Sequence, residues 1–470
     1  MNPKVSRCSG LALSVLLVSV ALTACGEKTT TTSRAPTAVA LARYNANGTP
    51  DITNLVGGTG LVTTDVNTSQ DDVAFAVVRQ PVDGKIIVVG TSFTTPASIV
   101  VIRYNVDGTP DSSFGSNGIT VTSLPSADAS AFAATLQADG KLLVAGRSCP
   151  LSGVSSFLLL RYHTDIATGG AAGTLDMAGF NSPLGYVVTP IPSGTETSAN
   201  AVALSGTNIL VAGHSKIGGR FVIALARYTP GGALDTDPDP TTGFGGGTGI
   251  VTTPVGSLDA DAAALAVQVG GKIVVAGLAG NVVSQIWDVA LLRYNANGSL
   301  DTDPITGFGG GTGIVTTDIG SSSNYANAVA LQTDGKIVVA GNAFVNSFAG
   351  TSDIAVLRYN TDGSLDTDLT TGFGGGTGFV TTSVGAFDNG FAVAVQSDNK
   401  IVVAGNADAG TGDRLALLRY NANGSLDADP ITGFGTGGIV TRAASGPSII
   451  AGAFAVVLQP GGEIVVAGYD

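Results

Sequence analysis

Charge is scarce in this chain. Asp, Glu, Lys and Arg together make up 12% of its 470 residues, about half the usual share in soluble domains. Glutamate is almost missing: Glu27, Glu196 and Glu463 are its only occurrences, so 32 of the 35 acidic residues are Asp. Asp bonds nearby backbone and favours turns, whereas Glu favours helices. That shortage excludes a predominantly helical protein. Two histidines, His163 and His214, and three cysteines supply neither a His-x-x-x-His nor a Cys-x-x-Cys pattern. The sequence therefore offers no catalytic residues and no metal site of those types, and no cofactor is expected. What it does have is glycine, 67 residues of it, with 44% hydrophobic residues. Few charges, many tight turns and much apolar content suit short strands buried on both faces, an all-β chain.

The formal charge is −13. Residues 1–24 carry Lys4 and Arg7 and no acid, so their removal leaves 20 basic against 35 acidic residues, or −15. Such a surface repels phosphate backbones and argues against a nucleic-acid partner. The basic start "MNPKVSR", the apolar run "LALSVLLVSVAL" and the ending "LTAC" (22–25) read as a lipoprotein signal peptide over residues 1–24. The apolar run is too short to span a bilayer, and "LTAC" resembles a bacterial lipobox, which makes Cys25 the lipidation site. Gly26, rather than Asp, at the next position favours the outer membrane or cell surface of a bacterial envelope. Residues 25–37 would then be a lipid-anchored tether without apolar content. Cys8 leaves with the leader and Cys25 takes lipid, so the processed chain is expected to do without disulfides.

Internal repetition organises the rest. An Arg-Tyr pair recurs at Arg43, Arg103, Arg161, Arg227, Arg293, Arg358 and Arg419, and a "GKIVVAG"-like run ends at Gly90, Gly146, Gly213, Gly277, Gly341, Gly405 and Gly468. In residues 324–384, "NAVALQ" alternates as a first strand and "TDG" turns the chain. "KIVVAG" and "DIAVLRYN" form the second and third strands, and "GFVTTSV" the fourth. Four short antiparallel strands per unit predict a β-propeller blade. The two signatures are out of phase: the chain opens with an Arg-Tyr half and closes, at "EIVVAGYD", with a "VAG" half. The termini should therefore share one blade. This gives a seven-bladed propeller over 38–470, with blades at about 71–124, 128–191, 198–255, 259–319, 324–384 and 387–444, and a closing blade of 449–470 plus 38–66. Shared closure leaves fewer exposed sheet edges. A single such domain is expected to be monomeric.

"ALQTDGKIVVAG" (330–341) and "VLRYNTDGSLDT" (356–367), with counterparts in every unit, resemble the delta-60 repeat family of bacterial sequences. That resemblance, covering essentially all of 38–470, implies a β-propeller and says almost nothing about activity. The rhythm of strand, Asp-Gly turn and strand is also similar to that of NHL-type propellers.

The repeated Arg sits on an apolar strand, and a guanidinium there needs an acceptor. An Asp follows eight residues later in six units, giving the pairs Arg43 with Asp51, Arg103 with Asp111, Arg227 with Asp235, Arg293 with Asp301, Arg358 with Asp366 and Arg419 with Asp427. For Arg161 an insertion moves the candidate to Asp176. Structural ion pairs are expected; a sevenfold anion-binding ring is the alternative. The run "GFGGGTG" (243–249, 307–313, 372–378) is read as loop chemistry, because Thr replaces the third glycine of a dinucleotide fingerprint and no helix follows. The clusters "DTDPDP", "DTD" and "DAD" offer oxygen ligands for Ca²⁺, but none matches a D-x-[DN]-x-[DN]-G loop, and solvated turns are the preferred reading. Symmetry breaks in the segments between second and third strands, 147–156, 278–288, 342–353 and 406–413, near Trp287, Phe344 and Phe348. It also breaks in the irregular stretch 161–186. Variable loops with aromatics on a rigid ring suit a binding face. The functional expectation is a membrane-anchored binding or scaffold propeller that engages a protein or glycan there. The alternatives are a polysaccharide hydrolase or lyase using Asp near the central channel, and a structural cell-surface component.

Overall fold

The computed structural model describes residues 36–150, 153–320, 322–346, 350–408, 410, 412–443 and 452–470. The proposed leader, Cys25, Phe348 and all of the tether except Pro36 and Thr37 lie outside the described residues.

Seven four-stranded antiparallel sheets form the domain, with two short 3-10 turns, Ile166–Thr168 and Gly245–Gly247, as its helical content among the described residues. Numbered along the chain, blades 1 to 6 span 72–122, 127–189, 194–253, 260–317, 324–382 and 388–443. Blade 5 shows the pattern: strands Asn324–Leu331, Ile337–Asn346, Thr351–Tyr359 and Phe379–Thr382 pair in sequence order. The first strand of each blade touches the first strands of both neighbours around a closed ring, so these seven strands line the central channel. Second and third strands are buried along most of their length. Each lies in a sheet sandwiched between two others, which is why they read as continuous apolar runs and not as alternating ones.

Blade 7 closes the ring. Its order from the outside is Leu61–Thr64, Val39–Tyr44, Ile464–Tyr469, Gly452–Leu458. Val39 to Tyr44 pair with Tyr469 to Ile464 in unbroken register, and Ala38 and Asp470 exchange backbone hydrogen bonds beyond them. The two halves that were out of phase in the sequence complete one sheet.

The glycine that ends each "VAG" run has a steric cause. Every blade has a register shift in its first strand opposite this position; in blade 5 it lies between Ala326 and Ala328. A Cβ built on Gly341 would stand 1.8 Å from the Tyr325 carbonyl oxygen. The bulge thus presses one backbone onto another, and only glycine fits.

Two details differ from the sequence reading. Residues 278–288 and 342–353 are mostly extended hairpin: the strands run Ile273–Asn281 and Ile286–Tyr294 in blade 4, and the second strand of blade 5 reaches Asn346. Their composition hides the period because Gly280 pairs with Trp287 well past the repeated core. Cys149 is disulfide-bonded, against the expectation of a chain without disulfides.

Candidate functional site

The Arg-Asp pairs lie at the turn end of the third strands. Oxygen-to-nitrogen distances are 2.8 Å for Arg43 and Asp51, 2.7 Å for Arg103 and Asp111, and 2.7 Å for Arg227 and Asp235. They are 2.6 Å for Arg293 with Asp301, Arg358 with Asp366 and Arg419 with Asp427, and 2.8 Å for Arg161 with Asp176. All seven guanidinium groups are buried. In six blades the guanidinium also covers a phenyl ring, Phe114, Phe180, Phe244, Phe308, Phe373 or Phe434, at 4.7–5.0 Å.

Each Arg further donates through Nη1 to a turn carbonyl of the next blade. Arg43 reaches Val106 at 2.5 Å and Arg161 reaches Pro230 at 2.5 Å. Arg103 bonds Thr164, Arg227 bonds Ala296, Arg293 bonds Thr361, Arg358 bonds Ala422, and Arg419 bonds Ala46 across the closure. The adjoining Tyr bonds the other way, to a threonine on the fourth strand of the preceding blade. Examples are Tyr104 to Thr64 at 2.6 Å and Tyr294 to Thr253 at 2.8 Å. At the junction of blades 6 and 7 Arg442 stands where that threonine would be, and burial lifts the Tyr44 hydroxyl to a pKa of about 12 against the opposing Arg442 charge. In six blades the Arg-Tyr dipeptide thus fastens the blade to both neighbours; in blade 7 Arg43 reaches the next blade, but the Tyr44 hydroxyl meets no threonine among the described residues. With these guanidinium groups buried and donating to protein acceptors, they do not form an anion-binding ring.

Burial works against ionisation of Asp111 and Asp301. For Asp111 the Lys85 and Ser113 hydrogen bonds and the Arg103 charge outweigh it; for Asp301, Lys272 and Arg293 do. Both carboxyls are held below the usual range. The aspartates one turn further out are taken up by their own loops. Asp303 accepts from the Ile305 and Thr306 amides and the Thr306 hydroxyl, and Asp368 and Asp429 do the same with their following residues. Among the described residues no cluster of three or more His, Cys, Asp or Glu could hold a metal ion.

The channel carries an asymmetry that sequence reading missed. The bulged residue of each first strand projects at the ring: Phe391, Phe454, Phe75 and Phe132 in blades 6, 7, 1 and 2, but Asn200, Ala263 and Asn327 in blades 3, 4 and 5. The phenyl rings touch in succession, at 4.8, 5.3 and 5.5 Å between centroids. The opposite arc is polar. Asn200 donates to Asp261 at 3.1 Å and to the Ala262 carbonyl at 3.0 Å, and Asp261 lies 2.8 Å from His214 Nδ1. Ser198, directly across the strand pair from His214, gives its hydroxyl to Asn200 instead. The set therefore has an oriented imidazole and carboxylate but no nucleophile aligned on the imidazole. The signal was available as a Phe 14 residues before the glycine that ends the run in blades 2, 6 and 7, and 15 before it in blade 1.

On the face where second-to-third-strand turns meet the inter-blade crossovers, Trp287 and Phe344 sit on strands. The Trp287 indole N–H is buried against Gly280 and meets no acceptor among the described residues, and Phe344 meets Tyr325 edge to face at 5.6 Å. Val282, Val283 and Val345 are exposed there. The same face carries a cleft of about 390 Å³ on blade 1, lined by Asn67, Ser92, Thr94, Pro96, Ser98 and Ser123 among others.

Residues 83–114, 137–165, 208–237, 271–303, 332–368 and 396–429 match a family described as a domain of unknown function (DUF5122) beta-propeller. This chain is a β-propeller repeat protein. The matched segments run from the first hairpin turn, or in blade 3 from the start of the second strand, past the Arg-Tyr strand that carries the repeated Arg. No curated protein matches the chain. Among solved structures it is similar to Sqt1 of Chaetomium thermophilum, with 12% identity over 85% of this chain and 95% of that one and a TM-score of 0.41. A polysaccharide lyase described as a PL25 ulvan lyase aligns with 12% identity, over 75% of this chain and 82% of its own, at a TM-score of 0.43. A triple-arginine mutant of AofleA from Arthrobotrys oligospora aligns with 11% identity, over 91% and 96%, at 0.37. At these values none of the three bears on what this chain does.

Proposed function

We propose that the chain is a lipid-anchored, non-catalytic binding or scaffolding propeller of the bacterial cell envelope, acting as a monomer. It holds a protein or glycan on the face of second-to-third-strand turns and crossovers. The observation that carries this reading is the separation of roles in the ring. Repeated charged groups are spent on fastening blades, while the non-repeated Trp287, Phe344 and exposed valines and the hydroxyl-lined cleft of about 390 Å³ gather on one face. Rigid rings with variable loops are suited to recognition. A hydroxyl- and amide-lined cleft suits hydrogen bonding to a glycan or a peptide backbone.

The tether leaves from this same face. Thr37 donates its amide and hydroxyl to Asp71 of the adjoining crossover at 2.8 and 3.0 Å. With Cys25 lipidated, twelve extended residues reach roughly 40 Å, so the partner would be held between ring and membrane. A glycan array and a pull-down with residues 36–470 test this. Capture that is lost when the tips at 282–285 and 94–96 are replaced by Gly-Ser supports the reading. Capture indifferent to both replacements refutes it.

A further inference from the structure

On the opposite face, at the seam between blades 7 and 1, the repeated Arg site is broken at three positions together. In five blades a lysine at the start of the second strand joins the Asp of the pair: Lys85 to Asp111 at 2.8 Å, Lys141 to Asp176 at 3.4 Å, Lys272 to Asp301 at 2.7 Å, Lys336 to Asp366 at 2.8 Å and Lys400 to Asp427 at 3.0 Å. Blade 3 has the neutral Asn208 there, and blade 7 has an acid, Glu463. The phenyl ring beneath the guanidinium is replaced by Leu55. The first-strand residue that pairs with Ile86 or its counterpart is aliphatic in the other six blades (Leu136, Leu204, Val267, Leu331, Val395, Leu458) but is Arg79 in blade 1.

Two of these changes, Arg79 and Glu463, line one cleft of about 610 Å³, bounded also by Arg43, Asp51, Asn54, Asp83 and Gln459, with Val82, Val106 and Pro460 as its apolar wall. Arg43 and Asp51 neutralise each other at 2.8 Å. Asp83 lies 3.7 Å from Lys85. Arg79 and Glu463, both half-buried, are left as one cation and one anion in no ion pair among the described residues. Two opposite charges held apart in one half-buried cleft present complementary fields to a ligand that carries both signs.

We propose that this cleft binds a small zwitterion of amino-acid to short-peptide size, its carboxylate on Arg79 and its ammonium on Glu463. A dianion would face Glu463 and Asp83, a dication would face Arg79, and a neutral ligand would leave both charges partly desolvated. Only a ligand with both signs satisfies both ends, and a planar guanidinium suits a carboxylate in two-point contact. The volume exceeds that of a single amino acid and admits a few residues. Asn54 and Gln459 supply amides for the peptide groups between the charges. This site lies on the face away from the variable turns and does not depend on what those turns bind.

Isothermal titration of the full chain with triglycine tests the proposal, with N-acetyl-triglycine, triglycine amide and glucuronate as controls. Binding of triglycine with a Kd below about 1 mM, weakened tenfold or more by either cap, is the expected result; tenfold corresponds to about 1.4 kcal/mol. Glu463→Lys and Arg79→Leu install what other blades carry, so folding should persist, and each should abolish the heat. Absence of heat with triglycine overturns the proposal, as does equal binding of the capped peptides or of glucuronate. Unchanged binding by both variants overturns it as well. If either variant fails to fold, the capped peptides still decide.

Discussion

Replacing Arg293 with Met keeps the length of the side chain and removes its charge and all its donors. Four interactions go at once. The pair with Asp301 is at 2.6 Å, and Thr361 of the next blade loses its donor. A longer contact to the Thr306 carbonyl at 3.4 Å and the cover over Phe308 at 4.8 Å also go. Breaking one side of a buried ion pair generally costs about 3–5 kcal/mol, because the remaining charge is left buried. Here Lys272, 2.7 Å from Asp301, still compensates the carboxylate, which pulls the expected loss to the low end, about 3 kcal/mol. Urea denaturation followed by tryptophan fluorescence is a suitable assay, since the single Trp287 belongs to the same blade. The variant should show a lower midpoint with an unchanged slope. Adding Lys272→Met should cost more in the Arg293→Met background than in wild type, because Asp301 then has no cation left; this non-additivity is read from a double-mutant cycle. A midpoint within about 0.5 kcal/mol of wild type would refute the fastening role of the repeated Arg.

Two further outcomes follow from the same geometry. Gly341→Ala puts a Cβ 1.8 Å from the Tyr325 oxygen, so the bulge must open; a loss of about 3 kcal/mol or more is expected, read as a lower denaturation midpoint, and a midpoint equal to wild type would contradict the close-contact account. Stability should also fall on acidification: Asp51, Asp111, Asp176 and Asp301 have folded pKa values below their unfolded value of about 3.9, so their contribution is present above that pH and is lost as pH drops through the folded values. Asp72 and Asp388 shift upward, mainly by burial, and act in the opposite sense, losing their contribution as pH rises through their folded values. The four lowered carboxyls predict a urea midpoint that declines steadily from about pH 4 downward; a flat profile to pH 2 would contradict the ion-pair account.

Much of this architecture was legible in one dimension. The count of seven, the four strands per unit and the shared closing blade all follow from two out-of-phase signatures, because a propeller blade is a local hairpin pair and its strands follow in chain order. The partner of six of the seven Arg residues was readable for the same reason: eight residues span one hairpin turn. Trp287 was readable as a residue near a variable segment, but its place on a strand against Gly280 was not.

Contacts between blades were not legible. Arg293 reaching Thr361, Tyr294 reaching Thr253 and the row of Phe391, Phe454, Phe75 and Phe132 each join positions about 40 residues or more apart, in different blades. Sequence spacing says nothing about which side of a blade faces which neighbour; the twist and curvature of the ring decide that. The departures Leu55, Arg79 and Glu463 look like scattered substitutions in the sequence, 408 positions apart at their extremes, from 55 to 463. They lie together because blade 7 is assembled from both ends of the chain and packs against blade 1. The sequence alone determined that the ring closes on itself. Which side chains that closure brings face to face, and which charges it leaves unpaired, only the folded ring decided, because burial and pairing depend on three-dimensional neighbours and not on position along the chain.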